Sequence, residues 1–384
     1  MAIGIIDVRE WQTMVDLKTG DKIDIDLKSI DKIKKIIAQN YYPGDFELES
    51  IDWVSDMAMR INEVYEPDFM LLSYAQPYFI SRFKKIFNYE MIGIINYLFK
   101  SVENFLKNTD FVPVIIGLGD LVPLRGFIDL SNIDGIAFCG GMSSCYGGLF
   151  DATSKDLDYL AGIPEIEKII SKKKFMDEFG GREDFIKRFP DYLLIAKEGY
   201  TFKACGSLAR TVYKVPAKNT TIPLYTSLDG IDSIVDVKKV IEENLDNRKI
   251  ALILLEGIGT RDFKWQYTLC KNSIKWYTYE QDANQYLAIT TGKHLQYNGY
   301  PPGYKYYIED DENKPYPYEG PFMEIPENTI GQMNKIKSAA LGSRSIITHV
   351  ASGADISIEC LCRMLYNYGT MAVIKDIVYK QEIL

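Results

Sequence analysis

The chain has 384 residues, of which 47% are apolar and 25% are charged, which is the composition of an ordinary globular protein. The 44 Lys and Arg residues against 53 Asp and Glu residues give a net charge of −9. Because no run of basic residues marks a nucleic-acid-binding surface, nucleic acid is excluded as the expected partner. The N-terminus lacks the pattern of a secretory signal, and no apolar run approaches the roughly eighteen residues of a transmembrane helix. We therefore expect no membrane partner.

The first part of the chain, residues 1–139, has the alternation of strands and helices that is typical of an α/β core. Asn88 is the predicted N-cap of its clearest helix, whose apolar residues recur every three or four positions. The predicted elements are, in chain order, a strand at 4–8, helices at 27–39 and 51–65, a strand at 69–74, a helix at 89–107, and strands at 112–116 and 133–138.

The segment 140–230 mixes short helical patterns with polar turns, and we interpret it as an inserted or cap subdomain. It contains predicted helices at 155–161, 164–170 and 183–189 and a predicted strand at 192–196.

Residues 231–384 form the second part of the predicted core. The pattern indicates a helix at 234–244, a strand at 251–255, a helix at 355–368 and a strand at 371–379. A stretch rich in Tyr, Pro and Gly at 297–325 is predicted to be a lid over the core. The expected fold class is α/β, with a mostly parallel doubly wound sheet, helices on both faces and an inserted small subdomain.

Acidic residues follow two of the predicted strands. Glu256 directly follows the apolar strand 251–255, and Asp262 lies six residues further along; Asp120 follows the strand 112–116. Open α/β sheets bind ligands at the carboxyl ends of their strands, so these three carboxylates are the predicted catalytic residues. The alternative is that they cap the turns that follow each strand.

A glycine-rich loop at 138–148 supplies the predicted substrate-binding groups. Its backbone N–H groups and the hydroxyls of Ser143 and Ser144 suit an anion, and Cys139 is included in the predicted site. The Cys139-x5-Cys145 spacing matches no zinc pattern, so no metal site is predicted. Two alternatives stay open: a tight turn with buried thiols, and a thiol or iron–sulfur site that also uses Cys360 and Cys362.

Arg344 lies between two serines and is a predicted ligand for a phosphate or carboxylate. The chain has only two histidines. One of them, His349, stands in an apolar stretch and reads as a core residue. Six cysteines in a chain of this length, without a dense disulfide pattern, predict a reducing, cytoplasmic location.

Several short segments resemble the alkaline phosphatase superfamily, especially its nucleotide pyrophosphatase/phosphodiesterase branch. ALILLEGIG resembles the strand that ends in that family's metal-binding Asp-Gly, and Thr291-Gly292 with Gly299 matches its Thr-Gly-x6-Gly motif. The segments 67–77 and 113–123 resemble two further strands of the family. The resemblance covers about sixty residues of the 384 and implies a phosphoryl-transfer scaffold.

The metal ligands that the resemblance would require are largely replaced, and the order of the segments is permuted. The first metal-binding Asp corresponds to Glu256, and the nucleophile position falls near Asp282. The second-strand Asp and His fall on Tyr78 and Arg82, and the Asp-His pair falls on 118–120, which has no histidine. We therefore expect no two-zinc site, and Arg82 and Asp282 are predicted to bind the substrate instead.

Together these features predict a cytoplasmic hydrolase- or transferase-like enzyme that acts on a small anionic substrate, with phosphorylated molecules included. The alternative is a non-catalytic ligand-binding or assembly protein on a phosphatase-like scaffold, which the scarcity of histidine favours. The sequence identifies no cofactor and leaves self-association into a homo-oligomer open.

Overall fold

The computed structural model describes residues 40–139, 145–203, 211–274 and 283–297. It also describes four helical residues between 32 and 39 and the short strands 2–7, 12–16, 277–278, 306–307, 340–341, 356–359 and 370–375.

The strands are numbered in chain order. They are β1 (Ala2–Asp7), β2 (Gln12–Asp16), β3 (Phe69–Tyr74), β4 (Val112–Gly117), β5 (Leu121–Pro123), β6 (Gly126–Ile128), β7 (Ile136–Cys139), β8 (Tyr146–Phe150), β9 (Ile166–Ser171), β10 (Tyr192–Ala196), β11 (Tyr200–Phe202), β12 (Lys214–Pro216), β13 (Thr221–Thr226), β14 (Ile250–Leu255), β15 (Thr268–Lys271), β16 (Ser273–Ile274), β17 (Tyr277–Thr278), β18 (Tyr306–Tyr307), β19 (Ala340–Leu341), β20 (Ile356–Glu359) and β21 (Thr370–Lys375).

The helices are α1 (Glu49–Tyr65), α2 (Gln76–Phe83), α3 (Asn88–Lys107), α4 (Ser154–Ala161), α5 (Lys172–Phe179), α6 (Glu183–Arg188), α7 (Val237–Asn244) and α8 (Ala283–Thr291). Two short 3₁₀ turns, Ile234–Asp236 and Leu295–Tyr297, precede α7 and follow α8. Within the ranges described above, no helix is long and apolar enough to cross a membrane.

The principal sheet is mixed, with the strand order β15-β13-β4-β14-β3-β20-β21-β1-β2. Its centre is parallel, because β14 pairs in parallel with both β3 and β4, and β20 pairs in parallel with β3. The other pairings in this sheet are antiparallel. The α/β class is therefore correct, but the expected mostly parallel arrangement is limited to the four central strands.

Helices cover both faces of the central strands, as the near-continuous apolar sequences of β3 and β14 require. On one face α1, α2 and α3 pack in a core, here called the first core, with alternate residues such as Met70, Leu72 and Ile253. On the other face α7 and α8 pack in the second core with Leu71 and Leu252. β3 and β14 are thus buried on both sides.

A smaller antiparallel sheet, β7-β8-β10-β9, carries α4, α5 and α6 alongside it. Residues of this sheet, among them Leu193 and Ile195, pack in the second core together with β3, β4 and β14. The predicted subdomain 140–230 contains most of this sheet, but it also contains β13, a strand of the principal sheet. The division into domains stays a prediction.

Most of the predicted elements lie where the sequence placed them, with three differences, whereas α2, α5, α8 and several strands, β13 among them, were not predicted. The helix expected at 164–170 is wrong, because β9 occupies this segment, and the start of the helix expected at 355–368 is strand β20. Phe87 is the N-cap residue of α3 instead of Asn88, and its N–H donates to the Glu90 carboxylate at 2.8 Å. The predicted lid at 297–325 and helix at 27–39 lie almost entirely outside the described residues.

Candidate functional site

The carboxyl ends of β3, β14 and β4 meet at one edge of the principal sheet. Leu255, the last residue of β14, stands level with Tyr74 of β3 on one side and with Gly117 of β4 on the other. The Glu256 N–H donates to the Tyr74 carbonyl at 2.9 Å, which continues the strand pairing by one residue. Glu256 is thereby fixed at the centre of the edge where α/β sheets bind their ligands.

Glu256 is buried, with 2% of its surface exposed, and it belongs to a hydroxyl–carboxylate cluster. The Tyr286 hydroxyl on α8 donates to Glu256 Oε1 at 2.7 Å. Ser73, the penultimate residue of β3, lies 2.6 Å from the Tyr286 hydroxyl and 3.4 Å from Oε1. A buried carboxylate needs such donors, because an unsatisfied charge in the interior is costly.

Asp120 lies in a second polar cluster at the same edge, just after β4. It is 4% exposed, and its Oδ2 accepts a hydrogen bond of 3.2 Å from the Asn219 side-chain amide, while its own N–H donates to Asn219 Oδ1 at 2.7 Å. Arg261 Nε lies 3.3 Å from Asp120 Oδ1, within ion-pair distance, although Oδ1 has no aligned hydrogen bond. We interpret the contact as electrostatic, which does not require such alignment.

The loop after β14 brings Arg261 and Asp262 to Asp120 because two glycines allow close packing. Gly257 has a φ of +75°, which favours glycine. A Cβ on Gly259 would overlap the Asp120 carboxyl group, so the backbone of the loop lies directly against that side chain. The Arg261 guanidinium also donates to the Leu121 carbonyl at 3.3 Å.

Asp262 is the partly exposed member of this pair of acids. Burial is the largest cause that raises the pKa of its carboxyl group above the ordinary value of 3.8, and the neighbouring Asp120 charge raises it further. Arg261, Lys214 and Lys264 act in the opposite direction. A carboxyl group whose pKa is raised by burial and by a like charge is typical of acid–base catalysis.

Three side-chain amides, two of them buried, connect the two clusters, and sequence reasoning missed them. Asn272 donates to the Asn219 carbonyl at 3.0 Å and accepts from Gln285 Nε2 at 2.8 Å. Gln285 Nε2 also donates to the Leu118 carbonyl at 2.9 Å, and Gln285 immediately precedes Tyr286 on α8. No motif marks these amides, because Asn and Gln in polar surroundings are common in any loop or helix.

Arg82 lies on α2, not on the strand, and is 9% exposed. Its guanidinium carbon lies 5.1 Å from the centre of the Tyr78 ring, and its carbonyl accepts from the Tyr213 N–H at 2.7 Å. Its predicted role in binding the substrate stays a prediction.

Four of the predicted substrate-binding residues, Ser143, Ser144, Asp282 and Arg344, lie outside the described residues. The backbone of Cys139 ends β7, where it stands opposite Gly147 of β8. Tyr146 at the start of β8 packs against the second core, which also contains Tyr286.

Within the described part of the chain, no group of three or more His, Cys, Asp or Glu side chains could hold a metal ion. Of the positions that carry the resemblance, Thr291 ends α8 and Gly292 follows it with a φ of +70°, while Gly299 lies outside the described residues.

No protein-family model matches this chain, and no curated protein is significantly similar to it.

Proposed function

We propose that this protein is a hydrolase- or transferase-like enzyme that acts on a small anionic substrate at the carboxyl edge of β3, β14 and β4. Arg261 binds the anionic group, and Asp262 is the general acid or base. Asp120 is the buried counter-charge of Arg261. Glu256, held by Tyr286 and Ser73, forms the inner end of the same site and remains a candidate catalytic carboxylate.

One observation carries this proposal. Asp262, a partly exposed acid with a raised pKa, lies next to Arg261, an exposed cation that is held by the buried Asp120. The Arg261 side chain is 61% exposed, whereas the Asp120 side chain is 5% exposed, so the pair has one face toward solvent. Guanidinium groups bind phosphate and carboxylate oxygens through two parallel donors. A carboxyl group that exchanges a proton beside a bound anion can activate water or protonate a leaving group.

The phosphatase-like scaffold is part of this proposal. It is supported by the positions of three segments that carry the resemblance, since 67–77, 113–123 and 251–259 contain the adjacent parallel strands β3, β4 and β14. We also propose that the core is doubly wound, because helices pack in cores on both faces of its central strands. The cytoplasmic location is proposed because the six cysteines show no dense disulfide pattern.

The second candidate function is a ligand-binding protein without turnover. It is favoured by the burial of Glu256, whose Oε1 already accepts from Tyr286. In that case Arg261 would still bind anions, but neither acid would transfer a proton.

A screen of phosphate mono- and diesters and carboxylic esters tests the enzymatic proposal. We expect Asp262→Asn to lower the turnover of any substrate found by about 10²- to 10⁴-fold, as is usual when a general acid or base is lost. Asp158→Asn on α4, an exposed acid, is the matched control and should leave turnover unchanged.

Full activity in Asp262→Asn would contradict the assigned role. Glu256→Gln, which keeps the acceptor for Tyr286, then identifies the alternative: loss of turnover in that variant alone would assign the proton to Glu256. Calorimetric binding of inorganic phosphate without turnover of any ester would favour the ligand-binding protein.

A further inference from the structure

The Asp120 side chain is held by Asn219, a residue from a different segment of the chain. Asn219 forms two hydrogen bonds with Asp120, one with each half of its side-chain amide. Its backbone carbonyl is in turn held by Asn272, which is held by Gln285. These contacts span four separate segments of the chain, those containing Asp120, Asn219, Asn272 and Gln285.

We infer that Asn219 is the positioning residue of the site: it fixes the Asp120 carboxylate against Arg261, so that the guanidinium presents its outer edge to the anionic group of the substrate. This inference rests on the proposed function for the identity of the ligand. The positioning itself depends only on the contacts of Asp120.

The contacts of Arg261 explain why a fixed Asp120 matters. Its Nε lies 3.3 Å from Asp120 Oδ1, and its terminal nitrogen Nη2 donates to the Leu121 carbonyl. Both contacts lie on the inner side of a side chain that is 61% exposed. A long side chain that is held in this way loses less conformational freedom when it binds an anion, which strengthens binding.

An amide is the side chain that this position requires. Its nitrogen donates to the Asp120 carboxylate while its oxygen accepts from the Asp120 N–H, and it adds no charge to a site that already contains two acids. An aspartate here would keep the acceptor but place a second negative charge beside Asp120. An alanine would leave the Asp120 N–H and Oδ2 without partners, which is costly in a buried setting.

The opposite sides of Asp120 are closed by other groups. The Gly259 backbone lies against the carboxyl group, and the Asp120 carbonyl accepts from the Ala217 N–H at 2.9 Å. Within the described residues, Asn219 is therefore the one side chain that donates a hydrogen bond to the Asp120 carboxylate.

Two variants test the inference, with two measurements on each. Asn219→Ala removes both hydrogen bonds, and Asn219→Asp keeps the shape of the side chain and reverses one interaction. Asn132→Ala, at an exposed position between β6 and β7, is the control. The measurements are the calorimetric affinity for inorganic phosphate and the titration of the Asp262 carboxyl carbon followed by NMR.

We expect both Asn219 variants to bind phosphate at least tenfold more weakly than the wild type and the control. The Asp262 titration provides a readout that does not depend on activity. The charged groups acting on Asp262 are Asp120, Arg261, Lys214 and Lys264. In Asn219→Ala the titration midpoint should fall toward its ordinary value as Asp120 moves away, and in Asn219→Asp it should rise.

An unchanged Asp262 midpoint in the folded Asn219→Ala protein would overturn the positioning role. If that variant does not fold, Asn219→Ser, which also lacks the paired amide and adds no charge, decides in the same way. If the wild type binds no phosphate but the midpoint shifts as expected, the positioning role stands and the proposed function fails.

Discussion

At the scale of single residues, two neighbouring acids have opposite environments. Asp120 is buried and is held by Asn219 and Arg261, whereas Asp262 is partly exposed and its side chain has no hydrogen bond or ion pair within the described part of the chain. Because partial burial and the negative charge of Asp120 both disfavour ionised Asp262, Asp262 is the member of the pair that is suited to exchanging a proton.

This arrangement predicts that Asp262 lowers the stability of the protein at neutral pH. Its pKa is raised in the folded state above 3.8, so folded protein binds the proton more tightly than the unfolded chain does. The stabilising effect of the proton is therefore present at low pH and is lost as pH rises through the folded pKa. We expect Asp262→Asn to melt at a higher temperature than the wild type at pH 7.

The difference should shrink as the pH falls to 3.8 and below, where Asp262 is protonated in both states. Thermal unfolding followed by circular dichroism across this range, with Asp158→Asn as the control, measures the effect. A variant that is less stable than the wild type at pH 7 would contradict this prediction and show that the attraction of Arg261, Lys214 and Lys264 outweighs the burial of Asp262 and the charge of Asp120.

The residues that sequence reasoning found and those that it missed differ in one respect. Glu256, Asp120 and Asp262 are acids that follow apolar strands, and a strand end is visible in a single sequence. Asn219 and Gln285 follow no such pattern. They become parts of the site only through the pairing of β13 and β15 and the docking of α8, which the sequence does not encode locally.

At the scale of secondary structure elements, the loop between β14 and β15 determines the shape of the site. Its two glycines, Gly257 and Gly259, allow the backbone to pass against Tyr78 and Asp120 respectively. The loop therefore delivers Arg261 and Asp262 through close backbone packing, and not through side-chain contacts alone.

We predict opposite effects for alanine at two glycines. Gly259→Ala should destabilise the protein by about 1–3 kcal/mol, because the added methyl group has to displace Asp120. Gly93→Ala, at an open position within α3, should stabilise it by about 1 kcal/mol through helix propensity. Urea denaturation measures both. Equal effects at the two positions would contradict the close packing of Gly259 on Asp120.

The errors in the predicted elements have identifiable causes. The apolar residues 163, 166, 169 and 170, the last three of them in β9, have helical spacing, yet the segment pairs with β10. The pairing shifts register between Ile195 and Ala196, so one residue of β9 is extra and the usual alternation is broken. In β20 the two buried isoleucines, Ile356 and Ile358, alternate correctly, but the segment is too short to outweigh the apolar pattern that follows it.

At the scale of the whole molecule, the smaller sheet and the principal sheet share one core. Leu193 and Ile195 of β10 pack with residues of β3, β4 and β14 in the second core. The sequence suggested a separate inserted unit because the segment is rich in turns. Composition cannot show that an inserted segment packs into the core of the principal sheet. The periodicity of a strand likewise cannot show whether it runs parallel or antiparallel to its neighbours.

The shared core predicts that the described part of the protein unfolds as one unit. Ile195→Ala should lower the free energy of unfolding by about 2–5 kcal/mol. Trp53 and Trp265 lie in or against the first core, on the opposite face of the principal sheet, so they report on a region that the substitution does not touch.

Tryptophan fluorescence and far-ultraviolet circular dichroism in urea should give the same lowered midpoint. Ile92→Ala, at a residue that is 52% exposed, is the control and should change little. A fluorescence midpoint that stays at the wild-type value while the circular dichroism develops a second transition would contradict a shared core.

The hydroxyl–carboxylate cluster joins positions that are very far apart along the chain. Ser73 is separated from Glu256 by 183 residues and from Tyr286 by 213. During synthesis, the ribosome must therefore add α8 before this cluster can assemble. Nascent or prematurely terminated chains that end between Glu256 and Tyr286 carry the acid without its tyrosine hydroxyl, so they cannot form this arrangement.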